Sequence, residues 1–123
     1  MIVTKNENIR PVDVDGCLIY SPEGTPDERC VDVVDPTNTA RTIRQAVNRN
    51  MVRLLIEERQ RGGYIIVWSR SGWEWARNVV LALGIERHVH EVKSKPLAYF
   101  DDTPVKKWMK DRVFIPPDVK YKR

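Results

Sequence analysis

Apolar and polar residues alternate in blocks along this chain, and the block lengths predict its elements. "IRPVDV" (9–14) reads as a first strand, with Pro11 an awkward residue at its entry. "CLIYS" (17–21) and "CVDVVD" (30–35) are short apolar-rich runs. Between them lies "PEGTPDER", dense in turn formers, so the two runs predict a small hairpin after the first strand. "DPTNT" (35–39) reads as a loop and helix start, with Asn38 or Thr39 as N-cap. From Ala40 to Arg61 the pattern is helical: Ile43, Val47, Leu54 and Leu55 fall near one face, and arginines and glutamates fill the other. Gly62 and Gly63 stop that helix.

"YIIVWS" (64–69) is almost continuously apolar, the mark of a strand buried on both faces in a parallel sheet. "GWEWARNVVLALG" predicts a second helix closed by Gly84. "HVHEV" (88–92) and "LAYFD" (97–101) predict a third and a fourth strand. "TPVKKWMKD" (103–111) predicts a short helix with Pro104 in its first turn, "RVFIP" (112–116) an edge strand, and "DVKYKR" (118–123) a basic tail. Strand and helix alternate, so the expected fold is α/β, a three-layer α/β/α Rossmann-like domain around a mostly parallel sheet. With 123 residues and no repeat or low-complexity segment, a single domain over 1–123 is expected, with the hairpin at about 17–35 and the tail at about 118–123.

Composition narrows the class. An apolar fraction of 41% with 31% charged residues is that of a soluble globular chain. A net charge of +4 permits an anionic partner, such as a phosphorylated substrate or a nucleic acid, without requiring one. No apolar h-region follows "MIVTKNENIR" and no apolar run approaches spanning length, so neither a signal peptide nor a membrane partner is expected. Cys17 and Cys30 lack any metal-ligand spacing. They read as free thiols of a reducing cytoplasm, with a bridge across the hairpin left open.

The candidate chemistry lies at the strand ends. Ligands of open parallel sheets bind outside the carboxyl ends of the strands. There the sequence puts Asp13, Asp15 and Gly16, then Ser69, then Asp101 and Asp102. Clustered carboxylates repel unless a cation joins them, and an all-oxygen ligand set suits Mg²⁺. Such a cation would draw in a phosphate, and a carboxylate beside it could attack phosphorus while its neighbour handles the proton.

Each piece also has a plainer reading. Asp15-Gly16 equally suits a surface turn. An EF-hand is set aside, since a loop with Gly16 at position six would put Pro11 and Pro22 at its two liganding ends. Ser69 suits a cap for the helix at Gly72, and Asp101-Asp102 an N-cap of the helix after Thr103. His88 and His90 have no evident metal-ligand partner. Trp73, Trp75 and Trp108 suit core or amphipathic surface as well as base stacking.

Taken in order, the motifs resemble the haloacid dehalogenase-like (HAD) superfamily. "VDVDGCL" is similar to its first motif, "IIVWS" to the second, "SKP" to the third and "YFDD" to the fourth. "VWSRSGWEWA" with "SKPLAYFDDTPVKKWM" resembles the very small, often phage-encoded members. The resemblance implies a HAD core and a Mg²⁺-dependent phosphatase with Asp13 as nucleophile and Asp15 as general acid/base. Ser69, with Arg70 beside it, would bind the phosphoryl group. Asp13, Asp15 (through its backbone carbonyl), Asp101 and Asp102 would serve the metal. Lys95 would be the third-motif lysine, with Lys93 as the alternative, because six extended residues from Lys95 to Asp101 would span ~20 Å and carry Lys95 to the wrong end of the sheet. Cys17 stands where the family commonly has Thr, and thiol reagents are expected to reach the site if Cys17 is exposed.

The gaps between motifs leave no room for a full cap domain, so an open site is expected. An open site suits a macromolecular end or an exposed phosphate, and the basic balance, Arg70, the tail and the tryptophans point to nucleotides or DNA and RNA terminal phosphates. The alternatives are a phosphatase of phosphoproteins or small phosphoesters, and a non-catalytic HAD-fold binding protein. A monomer or weak homodimer in the cytoplasm, of the host if phage-encoded, completes the expectation.

Overall fold

A computed structural model describes residues 8–109 and 113–116. Two small sheets and two helices make up the described fold, in the order β1 (Ile9–Asp13), β2 (Ile19–Tyr20), β3 (Cys30–Asp35), β4 (Asn38–Val47), α1 (Arg49–Gln60), β5 (Tyr64–Ser69), α2 (Trp73–Leu83) and β6 (Glu91–Ser94). β1, β5 and β6 form a parallel sheet with β5 in the centre. β2, β4 and β3 form an antiparallel sheet with β4 in the centre. The fold is therefore mixed α/β. Among the described residues, no helix is long and apolar enough to cross a membrane.

The central strand is what its sequence demands. Ile65, Ile66 and Val67 are all buried, because β5 is flanked by strands on both edges and packed on its faces. Ile65 and Val67 join Val12 and Val14 from the first strand segment, Leu55 from α1, and Ala76, Val79 and Val80 from α2 in one core. Gly63, just before β5, permits a close approach that no other residue would: a Cβ there would lie 2.6 Å from the Glu58 carbonyl oxygen, which the Gly63 N–H itself bonds at 2.8 Å. α2 ends on Gly84, as expected.

The largest departure from the sequence reading is at 40–47. These residues do not begin a helix; they run on in β4, and α1 starts only at Arg49, capped by Asn48 rather than Asn38 or Thr39. Two local forces explain it. Thr39, Thr42, Ile43 and Val47 are β-branched and favour a pleated surface. "DPTN" also closes a hairpin: the Asp35 carboxylate accepts from the Thr37 backbone N–H at 2.8 Å and from its hydroxyl at 2.7 Å. Charge then locks the register. Arg41 pairs with Asp35, its Nε at 2.9 Å, and Arg44 lies opposite Asp32 with the ion pair at 3.1 Å. These contacts hold the Asp35 carboxyl well below the usual range, at about 2, chiefly through the Thr37 hydroxyl.

The expected hairpin after the first strand is corrected with it. "CLIYS" does not pair with "CVDVVD"; β2 pairs with the far end of β4 (Ile19 opposite Val47), so β4 lies between them. The insertion is a three-stranded sheet tied to α2, where the Asn78 amide donates to the Val34 carbonyl at 2.9 Å. The third parallel strand lies at 91–94 rather than 88–92. The fourth is not formed: residues 97–101 have no ladder partner among the described residues, and Phe100 is fully exposed. The Lys95 N–H still bonds the Ser69 carbonyl at 2.8 Å, just past the last paired residue of β6, Ser94. Of the expected 103–111 helix only a 3-10 turn at Val105–Lys107 forms within the described residues. Residues 113–116 are not a strand, although Ile115 packs against the core. The tail at 118–123 lies outside the described residues.

Candidate active site

Parallel register brings the three strand ends to one rim. Asp13 pairs with Trp68, Trp68 with Lys93, and Ser69 with Ser94. β1 stops at Asp13, and the chain then curls tightly, with the N–H groups of Cys17, Leu18 and Ile19 all directed to the Val14 carbonyl at 2.9–3.2 Å. Gly16 sits at φ 78°, a region that a side-chain-bearing residue enters at a cost. Val14, Leu18 and Ile19 are fully buried and anchor the curl, leaving Asp13 half-buried and Asp15 on the exposed rim.

Asp15 is gripped by the elements that follow β5. Its carboxylate accepts from the Trp75 indole Nε1–H at 3.1 Å, the Ser69 hydroxyl at 3.3 Å and the Ser71 hydroxyl at 3.4 Å. Ser69 is fully buried, and its hydroxyl oxygen also accepts from the Ser71 backbone N–H at 2.9 Å. That bond organises the turn into α2; the helix N-cap itself is Gly72, with no side-chain cap. The Trp73 N–H at the start of α2 donates to Ser94 Oγ at 3.0 Å, tying the helix N-terminus to the end of β6. The orphan N–H groups of that helix end favour negative charge at the rim.

Lys95 stands just past β6, with Nζ 3.9 Å from Asp13 Oδ1. Its place follows from β6 ending at Ser94 and from the absence of a strand at 97–101, which removes the expected conflict of length. Lys93 instead pairs with Glu91 at 3.3 Å. Arg70 is exposed in the turn after Ser69. Asp101 and Asp102 are exposed and engage Thr103: its N–H bonds Asp101 at 3.3 Å and its hydroxyl bonds Asp102 at 3.0 Å. Contact with Asp101 and with that hydroxyl holds Asp102 below the usual carboxylate range. Neither acid caps the Val105–Lys107 turn, whose N-cap is Pro104. Among the described residues, no three His, Cys, Asp or Glu side chains are gathered closely enough to hold a metal ion. Asp13 and the Asp15 backbone carbonyl nevertheless offer hard oxygen donors of the type Mg²⁺ takes.

Cys17 is half-buried and free, as is Cys30. Burial first, and the Asp13 charge second, push the Cys17 thiol up to about 11. Trp75 is the site residue that sequence reading left among core aromatics. Its position in the first helical turn after a strand-end serine was the available signal, because a largely buried indole N–H needs an acceptor. A groove of about 570 Å³ lies elsewhere, between α1 and the last turn of α2 (Val52, Ile56, Ala82, Leu83). No family model, curated protein or solved structure matches this chain.

The arrangement joins a carboxylate with an ammonium group beside it to a second carboxylate fixed by three side-chain donors. All lie at the carboxyl rim of a parallel sheet beside a helix N-terminus. Such a rim can take an anion, present a nucleophilic oxygen to it and hold a proton acceptor close by.

Proposed function

We propose that this chain is a HAD-type phosphomonoester hydrolase that works through an aspartyl-phosphate on Asp13, acting on nucleotides or nucleic-acid terminal phosphates. The observation that carries the reading is the meeting of Asp13, Asp15, Ser69 and Lys95 at one rim of the parallel sheet. A three-layer HAD core is the finer fold this reading requires.

In the first step an Asp13 carboxylate oxygen attacks phosphorus. The P–O bond to the leaving group breaks, and Asp15, entering as its acid, gives the leaving oxygen a proton. In the second step water attacks the phosphoryl group and loses a proton to Asp15. The acyl phosphate bond to Asp13 breaks and inorganic phosphate departs. Lys95 neutralises charge beside Asp13 throughout, and Arg70 offers donors to the phosphoryl oxygens, which the Ser69 hydroxyl joins only by leaving Asp15. Mg²⁺, when bound, supplies charge neutralisation on the phosphoryl oxygens; the Asp13 carboxylate and the Asp15 backbone carbonyl are the groups at the rim that would hold it. The valine between the acids keeps attack and proton transfer on separate side chains.

A screen of wild-type protein with Mg²⁺ against an aryl phosphate, mononucleotides, 3′- and 5′-phosphorylated DNA and RNA, and phosphopeptides tests the proposal. Turnover of the aryl phosphate with preference for the nucleic-acid panel is expected. Turnover of phosphopeptides alone would overturn the substrate class, and no turnover anywhere would overturn the catalytic reading.

A further inference from the structure

The chain leaves the site along a segment rich in exposed rings. Tyr99 is half exposed, Phe100 fully exposed and Trp108 half exposed. Burying such side chains is ordinarily favourable, so three presented together call for a partner. The rings belong to one folded unit. The Tyr99 hydroxyl accepts the Val105 N–H at 3.0 Å, and the Trp108 N–H bonds the Val105 carbonyl at 3.1 Å, so the two ends of the strap are tied. Exposed Lys106 and Lys107 lie between the rings, with Lys93 exposed on the strand that feeds the strap. Phe100 is five residues beyond Lys95 and so at most ~18 Å from it along the backbone.

Rings set among lysines, leading into a site with a cationic group at its rim, match the chemistry of a single-stranded nucleic acid. Bases stack on aromatic faces, and phosphates follow the positive charge. Lys93 and Lys95 are paired with Glu91 and Asp13, so the strap itself carries Lys106 and Lys107 against Asp101 and Asp102, and a second copy is the competing occupant that sedimentation tests. We propose that Tyr99, Phe100 and Trp108, with Lys106 and Lys107, bind the single-stranded end of a nucleic acid and lead its terminal phosphate to Asp13. The substrate role rests on the phosphatase reading above; the binding role does not.

The test is fluorescence anisotropy of wild-type protein with a labelled oligothymidylate of about ten nucleotides carrying a 3′-phosphate, a length within the span of aromatic single-strand sites. Phe100 is fully exposed, so Phe100→Ala removes a stacking face without opening a cavity. It is expected to weaken binding about five- to a hundred-fold. Lys106→Ala with Lys107→Ala should flatten the dependence of log affinity on log salt by about 1.4, and a duplex of the same sequence should bind more weakly. Four results would each overturn the proposal: no binding by wild type at low salt, undiminished binding by Phe100→Ala, preference for duplex, or sedimentation showing a dimer that Phe100→Ala dissolves. A wild type that binds the oligonucleotide but hydrolyses no phosphomonoester overturns the phosphatase reading and leaves the strap standing. One that hydrolyses aryl phosphate and binds no oligonucleotide does the reverse.

Discussion

The contact between Trp75 and Asp15 links the packing of α2 to the chemistry of the rim, and its strength can be measured without any assumption about activity. The indole donates at 3.1 Å, whereas the two serine hydroxyls reach the same carboxylate at 3.3 and 3.4 Å. Hydroxyl bonds are best near 2.7–2.8 Å, so the indole makes the best-formed of the three. A hydrogen bond to a charged group contributes about 1.5–3 kcal/mol. Asp15 lies on the exposed rim, where water replaces a lost donor, so the pairwise coupling is expected near 1 kcal/mol. Trp75→Phe should cost more in total, about 2 kcal/mol, because the smaller ring also underfills a site that leaves Trp75 only 8% exposed. Urea unfolding of wild type, Trp75→Phe, Asp15→Ala and the double variant gives the coupling directly. A coupling within about 0.3 kcal/mol of zero would show that Trp75 packs beside Asp15 without holding it.

Three further outcomes follow from the geometry. Asn48→Ala removes the N-cap of α1, which accepts from Met51 N–H at 3.2 Å, and the amide that bonds the Ile115 carbonyl at 2.8 Å; a loss of about 2–4 kcal/mol in denaturant unfolding is expected, and a loss below about 0.5 would contradict both roles. Asp35 ionises at about 2 instead of 3.8, so its contribution is complete above pH 3.8 and disappears as pH falls toward 2; Asp35→Asn should flatten the stability-against-pH curve across that window, and an unchanged curve would show that the hairpin contacts do not favour the charged form. With its thiol raised to about 11, Cys17 should be alkylated by iodoacetamide at pH 8 far more slowly in the folded protein than in urea; equal rates would mean that the curl after β1 opens freely.

Legibility in the sequence followed how much of an element's stability is local. β5 and α2 were readable because a continuous apolar run and a glycine-closed amphipathic stretch each have one good solution. β4 was not, because arginines at 41 and 44 mimic a helical polar face until their partners Asp35 and Asp32, on another strand, are known. The "LAYFD" run looks like a strand in composition, but a strand exists only with a ladder partner, and none pairs with it among the described residues. The same contrast holds at the site. Asp13 and Ser69 were readable as strand ends, and Lys95 reaches Asp13 through the parallel register of β6. Trp75 was hidden because its indole meets Asp15 across 60 residues of sequence.

The most direct test of the central claim is chemical trapping of the phosphorylated enzyme. Wild-type protein incubated with Mg²⁺ and an aryl phosphate, quenched in acid and digested, is expected to yield a peptide carrying an acyl phosphate on Asp13, with Asp13→Asn giving neither that peptide nor turnover. Turnover that survives in Asp13→Asn, or a phosphoryl group trapped on any other residue, would contradict the account.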